Sequence, residues 1–200
     1  VKYEAYYCNT TIDPPELRLF IRRYYPEVIW LQPKYTMFEL IEKNRGMPLR
    51  NQRWCCRHLK EYAGTDRVVV TGIRAAESSS RRNRQQIEYD RNSSNKKFIH
   101  IIFDWTDADV WSYIYQNSLP YCSLYDEGFS RLGCIGCPMK SSETLKKEMI
   151  RYPYIFRKYK EVLQRAFNRK PSKYFGTDVE TYFEWWLSKK SVKEWLQDKE

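Results

Sequence analysis

Strand-like and helix-like segments alternate through the first two thirds of the chain, and this alternation constrains the fold more than any other feature. The strand-like runs are rich in Val, Ile, Tyr and Phe, and they cover residues 2–8, 27–31, 67–72 and 98–103. The helix-like segments cover residues 14–25, 36–44, 54–64 and 106–118. Such an order predicts an α/β fold, Rossmann-like, with a mainly parallel sheet and helices on both faces.

Three of these helices carry recognisable start signals. Thr36 with Glu39, and Thr106 with Asp109, have the spacing of a capping box, in which side chain and backbone bond reciprocally. Asp13 precedes two prolines and is expected to cap the first helix. These signals favour helix over strand where the apolar periodicity alone is short.

The pattern changes after Pro138, where strand signals stop. Helical periodicity runs through 141–150, 154–168, 178–188 and 191–197, with a loop expected over 167–178. We therefore expect two parts: an α/β domain over 1–139, N-terminally incomplete, and a helical, basic C-terminal extension over 140–200 packed on it. Within the extension, Trp185, Trp186 and Trp195 have spacings that suit an apolar helix face in the core.

Four of the six cysteines form two close pairs. Cys55 and Cys56 are adjacent, whereas Cys134 and Cys137 form a C-x-x-C with a glycine inside. The chain has no secretory leader pattern at its start and no disulfide-scaffold spacing, so reduced thiols and a cytoplasmic location are expected. The spacing leaves three alternatives open: four ligands of a [4Fe–4S] cluster, a zinc site, or structural and redox thiols. The remaining cysteines, Cys8 and Cys122, are expected to be buried small hydrophobes.

Positive charge is concentrated in two segments of a chain whose formal net charge is +10. Residues 74–97 carry seven Arg or Lys against three acids, and residues 151–173 carry eight against one. Such density suits phosphate groups of a nucleotide or of a nucleic acid, and it equally suits a solvated surface, the reading favoured for Arg82, Arg84 and Arg91. No apolar run has the roughly 18–20 residues that span a bilayer, so no membrane partner is expected.

The motifs together resemble the phosphoadenylylsulfate (PAPS) reductase family, within the PP-loop group of adenine-nucleotide enzymes. The resemblance covers roughly residues 1–139 and rests on the tandem Cys55–Cys56, on Lys60 four residues later, on the C-x-x-C of Cys134 and Cys137, and on the stretch TGIRAAESSSR. That stretch is similar to the family's G-x-R-x-x-[QE]-S-x-x-R. The segment TTIDPPEL and the segment running into the C-x-x-C are also similar to family motifs in the same order.

The resemblance implies a site for each motif. It implies a [4Fe–4S] cluster on the four paired cysteines, with Lys60 supplying positive charge beside it. It implies an adenine nucleotide (ATP, adenylylsulfate or PAPS) as substrate or cofactor. The residues implied in nucleotide binding share the TGIRAAESSSR stretch and are Gly72, Arg74, Glu77, Ser78 and Arg81. The two arginines there can present guanidinium forks to a phosphate or a sulfate.

Two family motifs are absent from the sequence. The S-G-G-K-D-S loop expected just before residue 1 is missing, and no cysteine follows Cys137 to serve as the family's C-terminal nucleophile. We therefore expect an iron–sulfur enzyme of sulfur metabolism that performs sulfonucleotide reduction or ATP-dependent sulfur transfer, and we expect no thioredoxin-linked sulfite release by this chain. The alternatives are an enzyme of nucleic-acid sulfur modification, as in tRNA thiolation or DNA phosphorothioation, and a non-catalytic nucleic-acid-binding protein. An electron- or sulfur-donor protein is a further expected partner.

Overall fold

The computed structural model describes residues 2–90 and 95–199, so Arg91 and its neighbours in the first basic segment lie outside the described residues. The strands are β1 (Tyr6–Cys8), β2 (Ile29–Leu31), β3 (Val68–Thr71), β4 (Ile87–Tyr89) and β5 (Lys97–His100). The helices are α1 (Pro15–Tyr24), α2 (Met37–Asn44), α3 (Trp54–Leu59), α4 (Ser79–Arg82), α5 (Asp107–Gln116), α6 (Ser142–Arg151), α7 (Pro153–Arg169), α8 (Val179–Ser188) and α9 (Val192–Gln197). No described helix is both long enough and apolar enough to cross a lipid bilayer.

The chain forms two compact units. The first unit combines residues up to 61 with residues from 128 onward, and the second comprises Tyr62–Glu127. The first unit therefore contains the pairs Cys55–Cys56 and Cys134–Cys137, and the second contains Arg74 and Arg81. Each unit has its own strands and helices, which confirms the expected α/β class.

The first unit holds a two-stranded sheet and most of the helices. β1 and β2 pair in parallel, with Tyr6 opposite Ile29 and Cys8 opposite Leu31. Helices α2 and α7 pack against each other, and the ring centroids of Phe38 and Tyr159 lie 5.5 Å apart. The apolar core around them consists of fully buried side chains, including Leu40, Ile41, Leu145, Tyr159, Val162 and Leu163.

The C-terminal helices belong to this core. Trp185, Trp186 and Trp195 are buried, as the spacing predicted. The indole Nε1 of Trp186 donates to the carbonyl of Pro48 at 3.0 Å, and the backbone N–H of Met47 donates to the Tyr182 hydroxyl at 2.8 Å. These bonds tie α8 to the segment after α2, far away in sequence.

The second unit holds a three-stranded sheet. β5 is central; it pairs in parallel with β3 and antiparallel with β4. At the ends of the strands, His100 is fully buried and bonds the Thr71 hydroxyl at 2.6 Å and Glu88 at 3.0 Å. The parallel β3–β5 pair agrees with the sequence, whereas the short antiparallel β4 lies in a segment for which no strand was expected.

Four local expectations are corrected. Asp13 does not cap α1, because Pro14 occupies the cap position and the Asp13 carboxylate instead accepts from the backbone of Thr10 at 3.2 Å. α3 ends at Leu59 rather than near Gly64, because the N–H groups of Lys60 and Glu61 both bond the carbonyl of Cys56 and close the helix as turns. Cys8 is half-buried rather than buried. β5 ends at His100 rather than at residue 103, because the N–H of Phe103 bonds the carbonyl of His100 and turns the chain.

Both predicted capping boxes are present. Thr36 accepts from the N–H of Glu39 while the Glu39 carboxylate accepts from the Thr36 N–H, and Thr106 and Asp109 bond in the same way. Each of these reciprocal bonds satisfies donors that a helix start leaves free.

Candidate functional site

The first unit brings together the tandem cysteines and the C-x-x-C. α3 presents Cys55 and Cys56 in its first turn, and the loop that precedes α6 carries Cys134 and Cys137. The four are free thiols, each partly buried. Cys55 and Cys134 both pack against the apolar core of the first unit. The pKa of Cys55 is raised mainly by Cys56 and by burial, and negative charge on Cys134 and Cys137 raises it further.

The two tandem cysteines differ in acidity. The interaction with Cys55 and, to a smaller extent, the positive charges of Lys60 and Arg53 together lower the pKa of Cys56 to about 6, against the opposing effect of burial. The same interaction raises the pKa of Cys55 well above its usual range. A thiolate is the metal-binding and nucleophilic form of cysteine, so Cys56 is the thiol most readily used at neutral pH.

Lys60 provides the positive charge for this group of thiols. Burial alone would lower the pKa of its ammonium group, but the negative charges of Cys134, Asp13 and Cys56 outweigh burial and raise that pKa. Lys60 therefore stays protonated among thiols. It lies at the C-terminal end of α3, one turn after the tandem pair that its charge influences.

The segment between β1 and α1 completes the surroundings of Cys134. Burial raises the pKa of the Cys134 thiol, whereas the positive charge of Lys60 lowers it. Thr10 is 1% exposed, and its hydroxyl oxygen has no hydrogen-bond partner within the part of the chain that the structure describes. A buried hydroxyl without a partner costs free energy. Asp13 accepts from the Tyr7 hydroxyl at 2.5 Å and is thereby held beside the same thiol.

The thiols do not form a finished site for a single metal ion. Across residues 2–90 and 95–199, no three His, Cys, Asp or Glu side chains are grouped closely enough to hold one. A zinc ion requires its thiolates at about 2.3 Å from one point. A cubane cluster instead presents its irons at several corners, so it requires a less close grouping of its thiolates than zinc does.

The second unit contains the stretch predicted to bind an anion. Gly72 follows β3, and a 3₁₀ turn over Ala75–Glu77 leads into α4. The Ser78 hydroxyl accepts from the Arg81 N–H at 3.2 Å and so caps α4. Glu77 pairs with the Arg81 side chain and also accepts from the Arg74 N–H at 3.1 Å. Glu77 and Ser78 thus have roles in shaping the turn that the sequence alone did not indicate.

Arg74 is a cation of this turn that has a hydrogen-bond donor without a partner among the described residues. Its side chain is 14% exposed, and one nitrogen, Nη2, donates to Asp107 at 2.6 Å. The other nitrogen, Nη1, is buried and has no hydrogen-bond partner among the described residues. A guanidinium that is half-satisfied in this way is a donor prepared for an oxygen of a ligand.

The comparisons with known proteins cover most of this region. A family profile described as the phosphoadenosine phosphosulfate reductase domain matches residues 18–140. An uncharacterised protein of Methanocaldococcus jannaschii is 36% identical over 159 residues, which are 74% of this chain and 38% of that protein. The adenosine 5'-phosphosulfate reductase of Neisseria meningitidis serogroup A is 36% identical over 103 residues, which are 48% of this chain and 41% of that protein.

A further adenosine 5'-phosphosulfate reductase, from Bacillus anthracis, is 32% identical over 137 residues, which are 64% of this chain and 60% of that protein. The chain thus spans less than two thirds of the length of the curated relatives it matches. Among solved structures, a phosphoadenylyl-sulfate reductase from Candida auris in a phosphate complex is 25% identical, with a TM-score of 0.46, covering 64% of this chain and 68% of that chain.

Proposed function

The chain belongs to the phosphoadenosine phosphosulfate reductase domain family. From this premise we propose that it binds an adenine sulfonucleotide and carries a [4Fe–4S] cluster on Cys55, Cys56, Cys134 and Cys137. The two electrons for reduction of the sulfur, and the thiol that attacks it, would come from the donor protein expected as a partner. The observation that carries the proposal is the shared environment of the four thiols and Lys60, assembled from sequence positions far apart. When bound, the cluster would supply an iron–sulfur centre able to exchange an electron.

The protein's own residues have distinct parts in this proposal. The four cysteines bind the irons, and Cys56, already acidic, supplies the first thiolate. Lys60 holds positive charge beside the thiolates and offsets the negative charge that four of them would bring together.

The nucleotide's anionic groups are assigned to the turn after β3. Arg74 has a buried guanidinium nitrogen with no hydrogen-bond partner among the described residues, and Asp107 fixes the orientation of that side chain. The Arg81 side chain is held by Glu77, whose carboxylate also accepts from the backbone N–H of Arg74. Gly72 lies where this turn leaves β3, and a Cβ there would make only an ordinary contact, at 3.6 Å, with Ile102.

Nucleic-acid sulfur modification is the weaker candidate, although segment 151–173 is strongly basic. Five of its eight cations are paired with carboxylates in the structure, which leaves less free charge for a phosphate backbone. The pairs are Arg151–Glu16, Lys158–Glu161, Lys160–Glu180, Arg165–Glu42 and Arg169–Glu42.

The test is purification of the chain without oxygen, followed by iron analysis and nucleotide titration. We expect a brown protein with about four irons per chain, which binds adenylylsulfate or its 3'-phosphorylated form more tightly than a short RNA. Cys134→Ser should lose the iron, and Cys122→Ser is the matched control because Cys122 is buried in the second unit. Stoichiometric zinc without colour would contradict the cluster, and binding of RNA with no sulfonucleotide affinity would contradict the substrate.

A further inference from the structure

A buried ion pair lies in the core of the first unit, directly beside the C-x-x-C. The ammonium of Lys140 contacts the carboxylate of Glu148, and the two side chains are only 10% and 1% exposed. Burying two charges is costly, and well-packed apolar residues of similar size often stabilise a core at least as well. The position of this pair therefore calls for a role beyond filling space.

Both members of the pair bond the backbone of the cysteine loop. Lys140 Nζ donates to the carbonyl of Cys134 at 2.9 Å and to that of Gly133 at 3.3 Å. Glu148 Oε2 accepts from the N–H of Gly136 at 3.0 Å. The pair thus connects the residue that carries the first thiol with the residue that precedes the second.

Two further groups hold the residue between them. The N–H of Ile135 donates to the carbonyl of Ile12 at 2.9 Å, and the buried hydroxyl of Tyr159 donates to the carbonyl of Ile135 at 2.8 Å. Each residue from Gly133 to Gly136 consequently has a backbone atom bonded to a group outside the loop. Such a loop keeps its shape without any ligand bound to its thiols.

We propose that Lys140 and Glu148 are positioning residues, which fix the separation and orientation of the Cys134 and Cys137 thiols before any metal or substrate binds. Lys140 is suited to this because one ammonium has three donors, and here they reach two carbonyls and one carboxylate. Glu148 is suited because one carboxylate accepts from both the lysine and the loop. The inference concerns the spacing of the two thiols and holds whether they bind iron, bind zinc or act as a redox pair.

The test compares two thiol reagents on the metal-free, reduced protein. Phenylarsine oxide captures two thiols at once, releasing water as arsenic bonds both sulfurs, so its rate depends on their spacing. Iodoacetamide alkylates each thiol singly and depends on access and acidity. The background carries Cys55→Ser and Cys56→Ser, so that the C-x-x-C is the close dithiol that remains.

We expect arsenical capture to slow by about tenfold in Lys140→Met and in the charge-balanced double variant Lys140→Met/Glu148→Gln, because residues that support metal ligands act on that scale. Alkylation of Cys134 and Cys137 should change by less than about twofold. Lys140→Arg retains the charge and several donors, so it should restore part of the capture rate. Lys158→Met is the matched control, because Lys158 pairs with Glu161 at 3.0 Å on the exposed face of α7 and is not bonded to the loop.

Unchanged capture in the folded double variant would overturn the proposal. Equal slowing of both reagents would also overturn it, because that result indicates a general loss of packing rather than a loss of thiol spacing. The double variant is included because Lys140→Met alone leaves Glu148 as an unpaired buried charge and is the variant more exposed to unfolding. If only the single variant unfolds, the double variant decides the question.

Discussion

In the first turn of α3, the adjacent side chains of Cys55 and Cys56 share one proton, which raises the pKa of Cys55 and lowers that of Cys56. Two chemically identical residues are thereby made unequal: Cys55 stays a thiol, and Cys56 becomes a thiolate near neutral pH. The asymmetry comes from one shared proton and from the cations of Lys60 and Arg53 around it.

This asymmetry predicts the pH profile of alkylation in the metal-free protein. A lowered pKa means that the reactive thiolate of Cys56 is present at lower pH, so its alkylation rate should rise through about pH 6, well below its ordinary value of 9.0. Peptide mass spectrometry after timed iodoacetamide treatment measures each site. Cys55→Ala removes the donor and should move the midpoint of Cys56 upward, whereas Cys55→Ser retains a hydroxyl donor and should move it less. A midpoint near the ordinary value in the unmodified chain would contradict the assignment.

Arg74→Ala should weaken the binding of a sulfonucleotide, because it removes the guanidinium whose buried Nη1 is unbonded within the described ranges. Loss of one charge-assisted contact costs about 1.5–3 kcal/mol, or about 10- to 150-fold in affinity. Isothermal titration with adenylylsulfate measures it.

Arg82→Ala is the control for that substitution. Arg82 lies on α4 and is exposed. Arg82→Ala therefore removes the same charge from the same turn but leaves the buried donor of Arg74 in place. A similar loss in both variants would mean that general positive potential, rather than Arg74 itself, attracts the nucleotide.

Gly136→Ala should destabilise the first unit more than Gly128→Ala. Both glycines have positive φ, +72° and +83°, so each alanine would pay about 1–2 kcal/mol for a left-handed backbone. At Gly136 the new Cβ would also lie 2.9 Å from Cε2 of Tyr159, whereas nothing lies within 4 Å at Gly128. Overpacking of this kind adds about 1–3 kcal/mol. Urea unfolding of both variants gives the difference, and equal free energies of unfolding would show that the Tyr159 ring yields.

Tyr182→Phe should lower the free energy of unfolding by about 1–3 kcal/mol, because it leaves the buried N–H of Met47 without its acceptor. Tyr174→Phe, on a ring that is 55% exposed, is the matched control and should have little effect. If the two variants unfold at the same urea concentration, a water molecule has replaced the lost hydroxyl.

Features that depend on local sequence were predictable. The boxes at Thr36 and Thr106 formed because each needs only a hydroxyl and a carboxylate three residues apart. The burial of Trp186 followed from helical spacing, which records which face of a helix is apolar.

Features that depend on distant partners were not predictable. β4 is only three residues long and stands in a run of charged and amide side chains, so its pairing with β5 left no periodic signal. Lys140 and Glu148 stand in the sequence without a motif around them, and their burial became visible only with Tyr159 and the cysteine loop in place. Whether the four thiols carry iron also stays a prediction, because the spacing of cysteines does not identify the ion.

The first unit is built from two stretches of chain that are separated by the whole of the second unit. As a consequence, the tandem cysteines leave the ribosome well before Cys134, Lys140, Glu148 and Tyr159 do. Until the later stretch docks, Cys55 and Cys56 have neither a metal-binding partner nor a finished core around them, and exposed thiols are open to oxidation. The site therefore assembles only if the chain is completed before its first two thiols are oxidised. Oxygen during expression should lower the yield of intact site even where the folded protein is stable.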